Sequence, residues 1–404
     1  MENKTKKELI VLTELDDNVK QQLINVYKHP KVVGKTIAFP DCHLGKGIPI
    51  GCLAIMENAI SPNMVGSDIG CGVLSCRLRI KKSFFTTDEW KEIASEIREK
   101  IPFGFKWQEK SQNHYLFNEI KGYVFKQKID EVKLQLGTLG GGNHFIEFET
   151  DEHNFVWLTI HCGSRNIGKV INEHYDKLAQ IHMKEIGKDV LIKQGLSYLE
   201  TNDLEQYVWD MFDCIHFACC NRQVINRTIL DIIGKRMQSK LDCIAYDGEY
   251  DQDISENLIL IKNESIHNYI KKDGTLFIHR KGCIEMTKYQ TWNKRWSLDR
   301  GEIVVGSQGT CSYIVEPTEF ASEVVNTCSH GAGRVLGRGE AKRTLSLEKE
   351  LEILEKQHII HALRGKDQLD EATSAYKNID KVIDQQKKYV KIIKKLKPFM
   401  VLKG

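Results

Sequence analysis

The stretch Gly66-Ser67-Asp68-Ile69-Gly70-Cys71-Gly72 places a carboxylate and a thiol three residues apart in a turn made mostly of glycine. Glycine tolerates close approaches that other residues resist, so both side chains can be aimed at one small object. Carboxylates favour hard cations and thiolates softer ones, so the pair suits a borderline divalent metal without naming it. Taken alone, the segment fits equally a tight turn before a strand, with a buried free cysteine. Four further segments set a histidine among glycines or other small residues beside an apolar run: His144 after Gly140-Gly141-Gly142-Asn143, His161 before Cys162-Gly163-Ser164-Arg165, His267 in Ser265-Ile266-His267-Asn268, and His330 in Cys328-Ser329-His330-Gly331-Ala332-Gly333-Arg334. A lone histidine of this kind is commonly structural. Five such turns in one chain make sense if strand-end loops converge along one sheet edge. One thiolate can bridge two ions, so Asp68, Cys71, His144, His161 and His267 are a candidate set for one or two divalent metals.

The same turns carry groups suited to phosphate. The amides of the glycine-rich loop at 136–143 can cradle an anion, but the loop lacks the Gly-Lys-Ser/Thr ending of a P-loop and the dinucleotide fingerprint. Gly163-Ser164-Arg165-Asn166 offers free amides, a hydroxyl and a guanidinium, and Arg334 follows His330 by four residues. Pro40-Asp41-Cys42-His43-Leu44-Gly45-Lys46-Gly47 reads as a loop delivered by a short strand at 36–39, a common setting for reactive groups. By contrast, Arg280 and Lys281 at the end of the run from Phe277 read as a solvated strand terminus.

These groups need a scaffold, and the periodicity supplies one. Leu74, Cys76, Leu78 and Ile80 alternate as in a half-buried strand, and the apolar run 155–160 is a buried strand that ends at His161. Ile303-Val304-Val305 leads as a strand into Gly306-Ser307. Thr86 and Glu89 form a capping box ahead of Trp90, Ile93, Ala94, Ile97 and Ile101 at helical spacing. Helices are expected at 19–27, 170–186 and 204–237, the last being core without obvious chemistry and including Cys219 and Cys220. From Leu345 onward the pattern reads as a highly charged helical segment. In its final stretch, Lys387 to Lys397, the residues Val390, Ile393 and Leu396 form an apolar stripe, so the lysines are a solvated face or, on a sharper reading, a polyanion-binding one.

At 404 residues and 41% hydrophobic, the chain can bury a large core. Its formal charge of +3, from 58 basic and 55 acidic residues, does not by itself announce a nucleic-acid binder. The N-terminal Met-Glu-Asn-Lys-Thr-Lys-Lys lacks the apolar region of a secretory signal, and no segment approaches the roughly 18 apolar residues of a membrane span. Twelve cysteines without a Cys-x-x-Cys pair read as reduced thiols, consistent with a cytoplasmic protein.

The quoted motifs together resemble one family. Asp41 to Gly47, Asp68-Ile69-Gly70-Cys71-Gly72, Gly142-Asn143-His144-Phe145-Ile146-Glu147, Gly163-Ser164-Arg165, Arg280-Lys281-Gly282, Cys328 to Arg334 and the terminal Leu402-Lys403-Gly404 are similar, in family order, to the RtcB family of GTP-dependent RNA ligases. The resemblance implies an α+β fold in which mixed sheets form a metal-lined cleft surrounded by helices. It implies a single catalytic domain over 1–404, with the basic helical segment from about 345 packed on it.

The activity implied is joining RNA that ends in a 3′-phosphate or 2′,3′-cyclic phosphate to RNA with a 5′-hydroxyl, in tRNA splicing or RNA repair, using GTP and two manganese ions. Asp68, Cys71, His144, His161 and His267 would be the metal ligands, His330 the nucleophile that takes up GMP, and Asp41 its orienting partner. The guanosine site would comprise Asn143, His144, Phe145, Ile146, Glu147, His267, Asn268, Val305, Gly306, Ser307, Gln308, Ser312, His330, Gly331, Ala332, Gly333, Tyr376 and Lys403. Glu147 and Lys403 would pair with the guanine edge, and Arg165, Lys281 and Arg334 would hold RNA phosphates. Ser67, Gly141, Asn166, Val305 and Gln308 depart from the family's usual residues. A monomer is expected, with archease a candidate activator; a GTP-independent, metal-dependent phosphoesterase acting on RNA ends is the alternative reading.

Overall fold

The computed structural model describes residues 6–242, 258–286 and 301–404, so the first five residues of the N-terminal stretch lie outside the described residues. In chain order the strands are β1 (Glu8–Val11), β2 (Val32–His43), β3 (Ile50–Glu57), β4 (Gly72–Lys81), β5 (Phe145–Thr150), β6 (Phe155–Cys162), β7 (Ile259–Ile266), β8 (Asn268–Asp273), β9 (Leu276–Lys281), β10 (Cys283–Glu285), β11 (Glu302–Val304), β12 (Ser312–Pro317), β13 (Thr327–Ser329) and β14 (Val390–Lys403). They form a seven-stranded sheet in the order β11-β12-β14-β5-β6-β4-β7, a five-stranded sheet β1-β2-β3-β9-β8, and the pair β10-β13. The fold is α+β.

Helices cover the sheets. Four of them frame the site: α1 (Asp17–Lys28), α2 (Thr87–Lys100), α3 (Asn166–Glu185) and α4, a helix of 42 residues over Thr201–Asp242. The capping box at Thr86 and Glu89 forms as its residues require. The apolar face of α2, with Trp90, Ile93 and Ile97, packs with Ile225, Ile229 and Ile233 of α4 on one face of the large sheet, against Leu74, Cys76, Ile146, Phe148 and Ile160. Side chains alternate across a strand, so the opposite face is left for Val73, Phe145, Glu147 and His161. No helix among the described residues is long and apolar enough to cross a membrane.

Three expectations are corrected. The lysine-rich end is strand β14, not a helix, and it sits between β12 and β5. The three-residue spacing of Val390, Ile393 and Leu396 imitated a helical stripe, whereas the continuous run Phe399-Met400-Val401-Leu402 is that of a central strand buried on both faces. Pro398, which has no N–H for a ladder, falls at a register shift in the β14–β5 pairing. The lysines are ion-paired within the chain, Lys388 to Glu323 at 2.5 Å, Lys391 to Glu316 at 3.0 Å and Lys395 to Asp380 at 3.1 Å, so the polyanion reading gains no support. Secondly, β2 runs on to His43, which places Asp41 within a strand and fully buried rather than in a loop. Thirdly, Arg280 and Lys281 are buried, not a solvated terminus.

Candidate active site

The candidate ligands hang from four adjacent strands of the large sheet. His144 immediately precedes β5, His161 lies near the end of β6, Cys71 immediately precedes β4, and His267 follows β7. Because β5, β6, β4 and β7 are sequential antiparallel neighbours, these are all positions at one edge of the sheet. The loops then tie to one another: the His267 amide donates to the Cys71 carbonyl at 2.9 Å, and the Asn268 side chain donates to the Asp68 carbonyl at 3.0 Å.

The side chains meet as this placement requires. Cys71 Sγ lies 3.2 Å from His161 Nε2 and 3.7 Å from His144 Nε2, His161 Nε2 lies 3.4 Å from His267 Nε2, and His144 Nε2 lies 2.8 Å from Asp68 Oδ2. Two donors about 2.1–2.3 Å from a common ion at a tetrahedral angle stand about 3.4–3.7 Å apart, so two of these four separations suit ligands of a shared cation, the Cys71–His161 contact is slightly shorter, and the Asp68–His144 contact is that of a direct hydrogen bond. They form two triads, Cys71-His161-His267 and Asp68-Cys71-His144, with Cys71 common to both. The His144 Nδ1 faces the Leu139 carbonyl at 3.1 Å, which fixes the ring with Nε2 turned to the cluster. At Gly163 a Cβ would stand 2.0 Å from Asp68 Oδ1, so only glycine lets the chain leaving β6 pass the carboxylate.

The electrostatics of the set are divided: against the effect of burial, Cys162 and then Asp68 hold His144 well above the usual imidazole range, as the ion-pair partner of that carboxylate. Burial, then neighbouring positive charge, hold His161 and His267 well below the usual imidazole range, in the neutral form that ligates. Burial and the Asp68 carboxylate push the Cys71 thiol up to about 12, so its thiolate needs a cation beside it. Arg222 of α4, fully buried, donates to the carbonyls of Gly70 at 3.1 Å and Cys162 at 2.6 Å, and Asn221 accepts from the amides of Gly137 and Thr138. Helix α4 is thus not mere core: it holds the loops that carry the ligands. Nothing in the helical pattern of the sequence distinguishes these two residues.

His330 follows β13, its ring centroid 4.7 Å from that of His267. Its Nδ1 donates to Asp41 Oδ2 at 2.6 Å, and the same carboxylate oxygen accepts the His330 amide at 3.1 Å. With Nδ1 committed, the lone pair is on Nε2, the arrangement of an oriented nucleophile or base. Lys377, unforeseen in the sequence, clamps this stretch of β2 by donating to the carbonyls of Pro40 and Cys42. Gly333 takes φ +71, and a Cβ there would strike the Asp41 carbonyl at 2.1 Å.

A cavity of about 620 Å³ opens in front of His330, and most of the expected guanosine-site residues line it: Asn143, Phe145, Glu147, Val305, Gly306, Ser307, Gln308, Gly331, Ala332, Gly333, Tyr376 and Lys403. Their convergence follows from register, since β14 pairs Val401 with Glu147 and Lys403 with Phe145 on one sheet face. The Ile146 side chain points the other way, into the core. Ser312 accepts the Gly306 amide at 3.2 Å, shaping the turn from below. Burial, then Glu149, raise the Glu147 carboxyl well above the usual range, and burial lowers the Lys403 ammonium.

One residue that sequence reasoning missed organises the far wall. Glu371, in a 3-10 turn, is buried and faces Arg334 at 3.2 Å, Arg338 at 3.0 Å, Lys403 at 3.5 Å and the Tyr376 hydroxyl. Of the three candidate phosphate contacts, Arg334 lines this cavity and Arg165 a neighbouring one, whereas Lys281 is turned to the carbonyls of Lys46, Asn63 and Ile48 at 2.6, 3.0 and 3.4 Å. Three carbonyls take up all three hydrogens of an ammonium, so Lys281 ties loops together. Burial lowers it to about 7.

Fold and site therefore define an α+β protein whose sheet edge presents a thiol-centred set of metal-type ligands beside a carboxylate-held histidine. The comparisons with known proteins give this class a family. The sequence model described as "tRNA-splicing ligase RtcB" matches residues 22–131 and 108–404, and the chain belongs to that family. It is 28% identical over 421 residues to "RNA-splicing ligase RtcB" of Escherichia coli K12, covering 96% of this chain and 95% of that protein. It is also 28% identical to "tRNA-splicing ligase RtcB" of Archaeoglobus fulgidus, covering 96% and 92%. "RNA-splicing ligase RtcB homolog 1" of Entamoeba dispar is 26% identical, covering 95% and 81%.

Proposed function

We propose that this chain is a GTP- and manganese-dependent RNA ligase that joins 3′-phosphate or 2′,3′-cyclic phosphate ends to 5′-hydroxyl ends. The observation that carries the reading is the Asp41–His330 pair, set between the ligand cluster and the cavity lined by Glu147, Tyr376 and Lys403. A nucleotide in that cavity has its phosphates next to both. Asp68, Cys71, His144, His161 and His267 would hold the cations, which supply charge neutralisation at phosphate when bound.

His330 Nε2 attacks the α-phosphorus of GTP, the N–P bond forms and pyrophosphate leaves. Asp41 stabilises the positive charge that develops on the ring through Nδ1–H. The guanylyl group then passes to an oxygen of the RNA 3′-phosphate and frees His330. The 5′-hydroxyl attacks that phosphate, GMP departs, and its proton is released. A cyclic end takes up one water to open before this sequence begins. On the guanine edge, Glu147, ionised once the guanine N–H groups stand beside it, accepts from the N1 and N2 hydrogens and Lys403 donates to O6, a pattern that adenine does not match.

Incubation with GTP labelled at the α-phosphate, in the presence of manganese, tests the reading. An acid-labile protein adduct is expected, and it should vanish in His330→Ala. Absence of an adduct in wild-type protein that still binds manganese would overturn the assignment.

A further inference from the structure

A second cavity, of about 910 Å³, reaches Asp68 and His144 from the side away from His330, and two aromatic rings stand on its rim. Phe105 is completely exposed and Trp107 is 39% exposed. Neither has a ring or cation partner among the described residues. Leaving a phenyl ring in water forgoes burial that proteins ordinarily secure, so a fully exposed one at a cavity mouth is an unusual disposition.

The rings are not on a loose loop. On one flank the Gly104 amide donates to the Gly140 carbonyl at 2.9 Å, and Arg165 Nη2 donates to the Gly104 carbonyl at 3.0 Å. On the other, the Gln108 amide donates to Leu134 O at 2.8 Å and its side chain to Gly137 O at 3.1 Å. The aromatic turn is therefore pinned to the glycine-rich loop that leads into His144. Arg165, at the junction, meets the Thr138 hydroxyl and the Gly104 carbonyl but no carboxylate among the described residues, so no described side chain neutralises its charge. Lys169 and Lys342 stand on the same wall but are paired with Glu173 at 3.8 Å and Asp370 at 3.6 Å, so the unneutralised charge beside the rings is that of Arg165.

Rigidly presented rings beside unneutralised positive charge are what a single strand of nucleic acid uses: the rings take base faces and the cations take phosphates. We infer that Phe105 and Trp107 form a stacking platform for a nucleobase close to the reacting end of a single-stranded RNA that enters by the Asp68 side. This rests on the ligase reading for the identity of the polymer. A planar, hydrogen-bond-independent contact of this kind accepts any base, so it positions an end without selecting its sequence.

The test uses full-length protein and two labelled single-stranded RNAs, one ending in a 3′-phosphate and one beginning with a 5′-hydroxyl. Binding is measured for wild type, Phe105→Ala/Trp107→Ala and Phe105→Tyr/Trp107→Phe, and adduct formation with α-labelled GTP is followed in parallel. The double alanine variant should bind one of the two RNAs at least tenfold more weakly, and which one it is identifies the strand. The variant that keeps aromatic rings should stay within threefold of wild type, and an abasic site near the end of that RNA should reproduce the alanine loss. Adduct formation should be unchanged in both variants, which separates this inference from the ligase reading. Unchanged binding of both RNAs by the alanine variant, equal losses in both variants, or indifference to abasic sites would overturn the platform.

Discussion

The ligand cluster and the wall around Glu371 lie on either side of the same chemistry, yet they are built on opposite plans. The cluster is fixed by backbone: four neighbouring strand ends, cross-tied by amides, bring Cys71, His144, His161 and His267 together, with the Asp68 carboxylate against His144 at 2.8 Å. The wall is fixed by charge: Arg334, Arg338 and Lys403 converge because one buried carboxylate satisfies them. A donor set held by backbone could take a cation without rearranging, whereas a neutralised set must share its donors when an anion arrives. Removing a part should therefore disable the first without unfolding it and unfold the second before disabling it.

The largest effect expected from breaking this contrast is at Cys71. Cys71→Ala removes the donor common to both triads, so the purified protein should retain near-wild-type thermal stability when stripped of metal but show essentially no bound manganese and no GTP adduct. Metal analysis that finds wild-type loading would refute the shared-ligand role. Next comes Glu371→Gln, which leaves partly buried cations unpaired. Breaking such a pair costs about 3–5 kcal/mol, and a saturating triphosphate should restore part of the loss by standing in for the carboxylate. Denaturation curves that coincide with wild type, with or without triphosphate, would show that the wall does not depend on this charge.

The smallest effect lies behind the cavity, at Glu149, whose carboxyl burial raises to about 7 although the Thr159 hydroxyl donates to it. A carboxyl held neutral in the fold but ionised when unfolded stabilises fully below about pH 4.5, and that contribution is lost as pH rises through about 7. Glu149→Gln should remove this slope, so that wild type loses on the order of 2–3 kcal/mol relative to the variant between pH 5 and pH 8. Parallel pH profiles for the two proteins would exclude the effect.

The two plans also explain what could be read from the sequence. The strand-end placement of the candidate ligands is legible because each signal is local: a glycine-flanked Asp, Cys or His abutting an apolar run marks a strand end wherever the strand later pairs. The pairing of Asp41 with His330, 289 residues apart, was reached by resemblance, not by pattern. Glu371, Arg338 and Lys377 carry no such mark, because an acidic or basic residue in a turn looks like solvent-facing charge until the tertiary fold surrounds it. Arg280 and Lys281 were misread for that reason, and β14 because three apolar residues at a three-residue interval suit a helix as well as one edge of a strand.

The grip of Arg222 on Gly70 and Cys162 has a consequence for the order in which the molecule is made. The helix that secures the Cys71 turn lies 152 residues downstream of Gly70, so during synthesis the Asp68 and Cys71 loop leaves the ribosome long before its fastener exists. His267 emerges later still. If the set holds a divalent ion, the complete set exists only once His267 has been made and α4 secures the Cys71 turn, so metal capture would report finished folding and not trigger it.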